Sequence, residues 1–316
     1  MDRVLDSYLV LEATSRRFPL VDGQSWAIGR GDGCAVMLDS RSVSRLHALI
    51  QRRDAGDYSL VDLGSRNGSF VNGRRVSVPV VLNDSDHLVF GDQELLFRQP
   101  AHSSSSSARP GTDLRTAPTS SLHTRSLTTI LVVDIRDFTP LARTLPESVL
   151  SQTIGTWFLR SGQIVQRLGS WAQKYVGDAV MAVWVHDHEE TVGDDLLRAL
   201  RAACDIHSAT EEISRSLPLP GPLRIGAGLN TGPAIVGNAD YTALGDTVNA
   251  AFRLEAATKT LGLSVALGER AYEELHLSKP APFTRRQVEL KGYEGPSIAW
   301  AVSFEALLAF LRGRGV

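Results

Sequence analysis

Residues 128–139 read TTILVVDIRDFT, a short apolar run rich in β-branched residues that ends at an acidic residue. Such a run predicts a buried β-strand, with Asp134 at its end. The RDFT segment that follows predicts a turn whose backbone N–H groups can face an anion. This stretch therefore predicts a core strand that carries a carboxylate to the edge of a sheet.

The residues around this strand alternate between strand-like and helix-like patterns. The strand-like runs are TTILVVDI, SWAQKYV, DAVMAVWV and LRIGAGLN, and amphipathic stretches of helix length lie near 140–168, 190–215 and 247–260. Strands and helices mixed in this order predict an α/β or α+β catalytic domain. Residues 304–316 predict a short amphipathic helix at its end.

A second carboxylate, Asp178, lies between two apolar runs in KYVGDAVMAVW, where Gly177 and Asp178 predict a tight hairpin turn. If this hairpin pairs beside the first strand, Asp134 and Asp178 meet. Hard carboxylate oxygens without a nearby cysteine or histidine favour Mg²⁺ or Mn²⁺ over zinc. Two such ions would suit a phosphoryl displacement, although a lone aspartate at a strand end is more often a turn former.

The segment YTALGDTVNAAFRLE, residues 241–255, adds polar groups to this picture. A helix that begins at Asp246 or Thr247 places Asn249 and Arg253 four residues apart on one face. The amide and the guanidinium group then project together. On an ordinary helix such a pair is only a solvated polar face.

The composition changes sharply near Pro100. Residues 101–127 are rich in Ser, Thr and Pro and predict a flexible linker. Before it, residues 1–100 consist of short alternating segments separated by Gly, Asp and Asn turns, which predict an all-β sandwich. The sequence therefore predicts a β-sandwich (1–100), a linker (101–127), a catalytic domain (128–303) and a C-terminal helix (304–316).

Charge and cysteine content exclude several classes of protein. The 33 basic and 35 acidic residues give a net charge of −2, which provides no positive field for nucleic acid. No apolar run approaches the roughly 20 residues that a membrane span needs. Only Cys34 and Cys204 are present, too few for a disulfide framework. With the acidic, signal-free start MDRVLDSYLV, these features predict a cytoplasmic protein without a membrane or nucleic-acid partner.

The sandwich carries short donors and guanidinium groups at its predicted turns, in IGR, SVSRLH and DLGSRNGSFVNG. Arginine offers a fork for phosphate oxygens, and Ser and Asn add shorter donors. In this order the motifs closely resemble the forkhead-associated (FHA) domain over residues 8–98. The resemblance implies a phosphothreonine-peptide binder in which Arg30, Ser44 and Arg45 hold the phosphate and Arg66 and Asn67 contact the peptide backbone. It also implies that His47 braces the binding loop.

The second part carries DIRDFT, KYVGDAV, GLNTGPAIVGN, YTALGDTVNAAFRLE and ELKG in the order of the class III nucleotide cyclase catalytic domain, which it resembles. The resemblance implies a ferredoxin-like α+β fold and an antiparallel homodimer with active sites across the interface. It implies two Mg²⁺ or Mn²⁺ ions per active site and these roles: metal binding by Asp134, Asp178 and the Ile135 carbonyl; phosphate binding by the turn at Phe138 and Thr139; purine reading by Lys174 and Thr242; transition-state stabilisation by Asn249 and Arg253; and binding of the terminal phosphates by Lys291.

Lys174 offers only donors, which suit the unprotonated ring nitrogen of adenine, and Thr242 can accept from the adenine amino group. The expected reaction is therefore the conversion of ATP to 3′,5′-cyclic AMP and pyrophosphate. The alternatives are a guanylate cyclase and a catalytically inactive phosphopeptide adaptor. The FHA domain would bind a phosphothreonine protein or the chain's own linker, in which the candidate threonines are Thr112, Thr116, Thr119 and Thr124.

Three features depart from the cyclase pattern. Asp137 stands where a glycine is usual in the phosphate-binding turn, and Phe252 replaces a usually small residue. The segment from Gly237 to Leu244 is several residues shorter than the usual hairpin arm. We expect Asp137 to repel phosphate unless its side chain points away, and the short arm to alter the dimer contact.

Overall fold

A computed structural model of the chain describes residues 7–21, 23, 25–52, 57–99, 123–186, 188, 191–237, 242–277, 281–290, 293 and 295–315. These residues form an all-β sandwich followed by an α+β domain, as the sequence predicts. The linker threonines 112, 116 and 119 and the lysine at 291 lie outside the described residues.

The N-terminal sandwich consists of two sheets. Within the described residues, one sheet has six strands in the order β2-β1-β11-β10-β7-β8, and the other has five in the order β4-β3-β5-β6-β9. Alternate side chains of both sheets point inward, so Leu9, Ile28, Ile50, Leu60 and Phe90 are fully buried between them. The strands are β1 (Tyr8–Leu11), β2 (Arg16–Pro19), β3 (Ser25–Gly29), β4 (Val36–Met37), β5 (Ala48–Arg52), β6 (Tyr58–Asp62), β7 (Ser69–Val71), β8 (Arg74–Arg75), β9 (Val80–Leu82), β10 (His87–Phe90) and β11 (Gln93–Arg98).

The C-terminal domain is built on one mixed sheet. Its order is β13-β14-β12-β15-β17-β19-β18, with β16 paired to β15. Among the described strands of this sheet, β15 and β17 form the one parallel pair, and the other pairs are antiparallel. The strands are β12 (His123–Ile135), β13 (Ala172–Val176), β14 (Ala179–His186), β15 (Ile225–Gly237), β16 (Thr242–Leu244), β17 (Val265–Gly268), β18 (Thr284–Val288) and β19 (Ser297–Val302).

Helices cover both faces of this sheet. The helices are α1 (Phe138–Thr144), α2 (Glu147–Arg167), α3 (Val192–Ser216), α4 (Asp246–Leu261), α5 (Glu269–Glu273) and α6 (Phe304–Gly313). Side chains alternate along β12. Leu131 and Val133 therefore join the core with α2, α3 and α6, whereas Ile130 and Val132 join a second core with α4.

The central strand begins earlier than the sequence predicts. Residues 123–127, placed in the linker above, form the first part of β12, so the domain starts at His123 rather than at 128. The pairs His123–Gly237 and Thr124–Val236 extend the ladder with β15. Pairing with β15 supplies hydrogen-bond partners for the backbone N–H and C=O groups of this segment, which has few apolar residues to bury. Thr124 therefore belongs to the sheet instead of the linker.

No helix among the described residues is long and apolar enough to span a membrane.

Candidate functional sites

The predicted phosphate-binding residues of the sandwich converge on one rim. A cleft of about 450 Å³ is lined by Arg30, Ser44, Arg45 and Arg66, together with neighbours in the loop before β5. Arg30, Arg45 and Arg66 are exposed, so their guanidinium groups can reach a ligand from solvent. The predicted phosphate ligands Arg30, Ser44 and Arg45 thus share one cleft with Arg66, the predicted peptide contact, whereas Asn67 does not line it.

Backbone contacts fix the loops that carry these side chains. The Arg30 N–H donates to the Ser44 carbonyl (3.0 Å), and the Arg66 N–H donates to Ser44 Oγ (3.2 Å). A Cβ on Gly29 would overlap the Arg45 carbonyl, so this close approach requires glycine. Asn67 Nδ2 donates to the Ser42 carbonyl (2.6 Å). This bond ties the SRNG loop (residues 65–68) to the SVSR loop (residues 42–45).

His47 is fully buried beneath the cleft and braces both loops. Its Nδ1 accepts from the Ser44 N–H (3.0 Å), and its Nε2 donates to the Gly68 carbonyl (3.2 Å). Burial lowers the pKa of His47, which favours the neutral ring that this donor and acceptor pattern requires. His47 therefore supports the loops without facing the cleft, as the resemblance implies.

Asp62 contributes more than the sequence reveals. Its buried carboxylate accepts from the N–H groups of Gly64 and Ser65 and from the hydroxyls of Ser65 and Ser69, at 2.6–3.0 Å. These bonds hold the start of the SRNG loop. The motif DLGSRNGS places the Asp ahead of these groups, a signal typical of an Asx turn.

Asp134 and Asp178 meet at the end of the central strand. β12 pairs with β14 so that Asp134 lies opposite Ala179, next to Asp178 in the hairpin turn. Gly177 has a φ of +62°, which the first position of such a two-residue turn needs. The predicted hairpin and the predicted meeting of the two carboxylates are both present.

The electrostatics of this pair are those of a cation site. Burial, followed by the charge of Asp178, raises the pKa of Asp134 to about 6, and burial raises the pKa of Asp178. Asp134 Oδ1 is buried and has no hydrogen-bond partner. Two crowded carboxylates with an unsatisfied oxygen match the hard, oxygen-rich donor set of Mg²⁺ or Mn²⁺, so the residues present fit this metal.

A third carboxyl group, Glu255 of α4, lies close to this pair, and the sequence analysis missed it. Burial and the charge of Asp134 raise the pKa of Glu255 to about 7, with Lys259 and Arg136 opposing the shift. Glu255 Oε1 is also buried without a hydrogen-bond partner. The signal was present, because residue 255 lies four positions after the buried Ala251 and so on the same face of α4.

We expect the metal-free protein to lose stability as the pH rises from about 4 to 7. The unfolded carboxyl groups titrate near pH 4, whereas the folded Asp134 and Glu255 titrate near 6 and 7. The folded state therefore holds more protons in this window, and the unfolding free energy falls as they leave. Thermal melts with EDTA will show this fall. Millimolar Mg²⁺ will make the fall in stability with pH smaller, and Asp134→Asn will remove part of it. If stability falls equally steeply with pH in EDTA and in Mg²⁺, the metal assignment is contradicted.

Asn249 and Arg253 lie one turn apart on α4, as predicted. The Arg253 guanidinium carbon lies 4.6 Å from the centre of the Tyr293 ring, a cation–π contact that orients the guanidinium. Tyr293 Oη donates to the Asp246 side chain at the start of α4, and burial raises the pKa of Tyr293 to about 12. Sequence reasoning did not identify Tyr293, although it follows ELKG directly.

Lys174 and Asn249 line one cleft of about 270 Å³. The cleft lies between β13, α4 and the edge of the sandwich, and Phe252 forms part of its wall. Phe252 is half-buried against the α4 core, which accommodates its bulk. Thr242 lies in β16 and its backbone pairs with Gly237, but its side chain and Lys291 lie outside the described residues.

The turn after β12 shows what the Asp137 carboxylate contacts. Asp137 has a φ of +56° and precedes Phe138 and Thr139, the first residues of α1. Its carboxylate accepts from Arg224 Nη2 at 2.8 Å. The ion pair is exposed on both sides, so it adds little stability, but it draws the carboxylate toward Arg224.

Two family models match the chain. The FHA domain matches residues 26–91, and the adenylate and guanylate cyclase catalytic domain matches residues 122–303, more than half of the chain. The chain belongs to the adenylate and guanylate cyclase family. An FHA domain precedes its class III catalytic domain, in agreement with both resemblances read from the sequence.

Individual relatives match one domain each. An adenylate cyclase of Anabaena cylindrica is 27% identical over 174 residues, 51% of this chain and 33% of that protein. The transcriptional regulatory protein EmbR of Mycobacterium tuberculosis is 40% identical over 93 residues, 29% of this chain and 23% of that protein. A bacterial light-regulated adenylyl cyclase structure shares the fold at a TM-score of 0.50 and 24% identity, covering 62% of this chain and 59% of that chain. This chain thus spans a third or less of these curated relatives.

Proposed function

We propose that this cyclase is an adenylate cyclase that converts ATP to 3′,5′-cyclic AMP and pyrophosphate in a homodimer, with an FHA domain that binds phosphothreonine. The carboxylate pair Asp134 and Asp178 carries the proposal. Burial raises the pKa of both half-buried acids, and the charge of Asp178 further raises that of Asp134, so keeping both ionised is costly. Asp134 Oδ1 also remains without a partner. A divalent cation would relieve both costs.

The proposed reaction is an in-line attack of the ribose 3′-hydroxyl on the α-phosphorus, with pyrophosphate as the leaving group. Mg²⁺ or Mn²⁺ held by Asp134, Asp178 and the Ile135 carbonyl would lower the pKa of the hydroxyl and neutralise charge on the phosphates. Asn249 orients the ribose. Arg253, already oriented by the Tyr293 ring, faces the negative charge that develops on the α-phosphoryl oxygens.

The remaining groups bind the two ends of the nucleotide. Lys174 and Thr242 read the purine, Lys291 binds the terminal phosphates, and the backbone at Phe138 and Thr139 faces the triphosphate. The first N–H groups of a helix lack intrahelical partners and favour anions. Pairing with Arg224 lessens the repulsion that Asp137 would otherwise exert on the triphosphate.

The distribution of these residues supports a dimer. The cleft that contains Lys174 and Asn249 is lined by neither Asp134 nor Asp178. One chain therefore carries a metal-binding half and a nucleotide-binding half in different places. A twofold axis would place the metal-binding half of each chain against the nucleotide-binding half of the other. An isologous interface brings the same two surfaces together twice, so the dimer would have two complete sites.

We expect the purified chain to form cyclic AMP from ATP with Mn²⁺, and to use GTP much less efficiently. The amino group of Lys174 donates to the unprotonated ring nitrogen of adenine but opposes the protonated nitrogen of guanine. Product formation from each nucleotide, compared as kcat/KM, tests the assignment. Higher efficiency with GTP would identify a guanylate cyclase, and no product from either nucleotide would identify an inactive adaptor.

A further inference from the structure

The FHA domain docks directly on the helix that precedes β13. Ser151 Oγ of α2 donates to the Val76 carbonyl at 3.0 Å. The Tyr175 N–H of β13 donates to Gln51 Oε1 of the FHA strand β5 at 3.3 Å. Ser151 and Gln51 are both buried, so these are interior hydrogen bonds between two domains.

Two glycines pack against each other at this contact. A Cβ on Gly155 of α2 would lie 2.7 Å from the Cα of Gly64 and would overlap its nitrogen, and a Cβ on Gly64 would lie 2.8 Å from Thr156 Oγ1. Val61 and Leu63 of the FHA domain are buried in the same core as α2. A glycine inside a helix costs about 1 kcal/mol relative to alanine, and here its absent side chain permits the contact.

The docked helix reaches the phosphate-binding cleft. Residues 151, 155, 159 and 163 are spaced by four and form one stripe along α2. The first two contact the FHA domain, and the last two, Leu159 and Gln163, line the 450 Å³ cleft that contains Arg30 and Arg45. Leu159 is half-buried and Gln163 is exposed, so both can accept a ligand.

We propose that the phosphothreonine site is shared between the two domains. This proposal rests on the proposed FHA function. Arg30, Ser44 and Arg45 take the phosphate, while α2 of the cyclase supplies the wall that reads the flanking residues. Leu159 favours an apolar residue beside the phosphothreonine, and the Gln163 amide can donate to or accept from the peptide backbone. The ligand is a phosphothreonine peptide, from a partner or from Thr112, Thr116 or Thr119 of the linker.

The shared wall connects the ligand to the catalytic domain. Tyr175 Oη donates to the Phe158 carbonyl of α2 at 3.1 Å, and Tyr175 adjoins Lys174 on β13. A peptide that contacts α2 therefore binds one wall of a packed unit that also carries the purine reader. Any coupling between the two sites is reciprocal in binding free energy.

The test uses the full chain and a fluorescent phosphothreonine peptide pool with randomised flanks, beside linker peptides phosphorylated at Thr112, Thr116 or Thr119. We expect Leu159→Ala combined with Gln163→Ala to weaken binding about 5- to 30-fold, the loss of one or two interface contacts. The variant will also lose the preference of the wild-type protein for pool peptides with an apolar residue beside the phosphothreonine. Gln166→Ala, an exposed glutamine on α2 that does not line the cleft, will leave affinity and preference unchanged. The tighter of the two probes identifies the source of the peptide.

Cyclase activity without peptide and the melting temperature will show that the double variant is folded. The shared site is wrong if the double variant binds the pool with wild-type affinity and selectivity while Arg30→Ala loses binding. The FHA function itself is wrong if the wild-type chain does not distinguish phosphorylated from unphosphorylated peptides. The two failures are therefore distinguishable.

Discussion

Mixing Asp134→Ala chains with Asn249→Ala chains will restore cyclase activity that neither variant has alone. Each single variant loses one half of both sites in its homodimer, and we expect losses of about 10²- to 10³-fold, the usual cost of one transition-state contact. A mixed dimer keeps one site with intact carboxylates from one chain and an intact Asn249 from the other. Random pairing places about half of the chains in mixed dimers with one of two sites intact, so about one quarter of wild-type activity returns.

A matched mixture controls this result. Asp134→Ala and Asp178→Ala damage the same half of the site, so their mixed dimer contains no intact site and activity will not return. Cyclic AMP formation is measured after the chains have been co-incubated long enough to exchange. Recovery in both mixtures, or in neither, would contradict the shared active site. Recovery only in the first would place the carboxylates and Asn249 on opposite sides of one interface.

The sequence predicted the parts of this molecule that depend on local spacing. The strand that carries Asp134 near its end, the hairpin turn at Gly177 and the helix that begins at Asp246 each follow from a pattern shorter than 16 residues. Turn geometry and hydrophobic period fix such elements before any tertiary contact forms. The meeting of the two carboxylates needed only one further assumption, that the hairpin pairs beside β12.

The sequence did not reveal features that depend on packing at a distance. Gly155 in a helix and Gly64 in a turn are unremarkable separately, and their contact joins elements 91 positions apart. A Ser/Thr/Pro-rich linker predicts two independent domains, whereas the buried Ser151 and Gln51 join them. A glycine in the interior of a helix does have a packing reason in many proteins, so Gly155 was the available signal.

Replacing Lys174 with glutamate will move the enzyme from ATP toward GTP. A carboxylate accepts where the ammonium donates, so Lys174→Glu pairs with the protonated ring nitrogen of guanine and leaves the adenine nitrogen without a donor. Sites built around a substrate hydrogen bond reject analogues that lack it. We expect the ratio of kcat/KM for ATP to that for GTP to fall by about 10² for this single change, measured with Mn²⁺.

Lys174→Met separates loss of a donor from gain of an acceptor. Methionine keeps the length of the side chain and removes its charge, so efficiency with ATP will fall while efficiency with GTP stays low. The ratio then changes less than in Lys174→Glu, and only the glutamate variant gains activity with GTP. If neither variant changes the ratio, Lys174 does not contact the purine ring nitrogen. The cleft that it shares with Asn249 would then bind the ribose alone, because the ribose is the same in both substrates and cannot distinguish them.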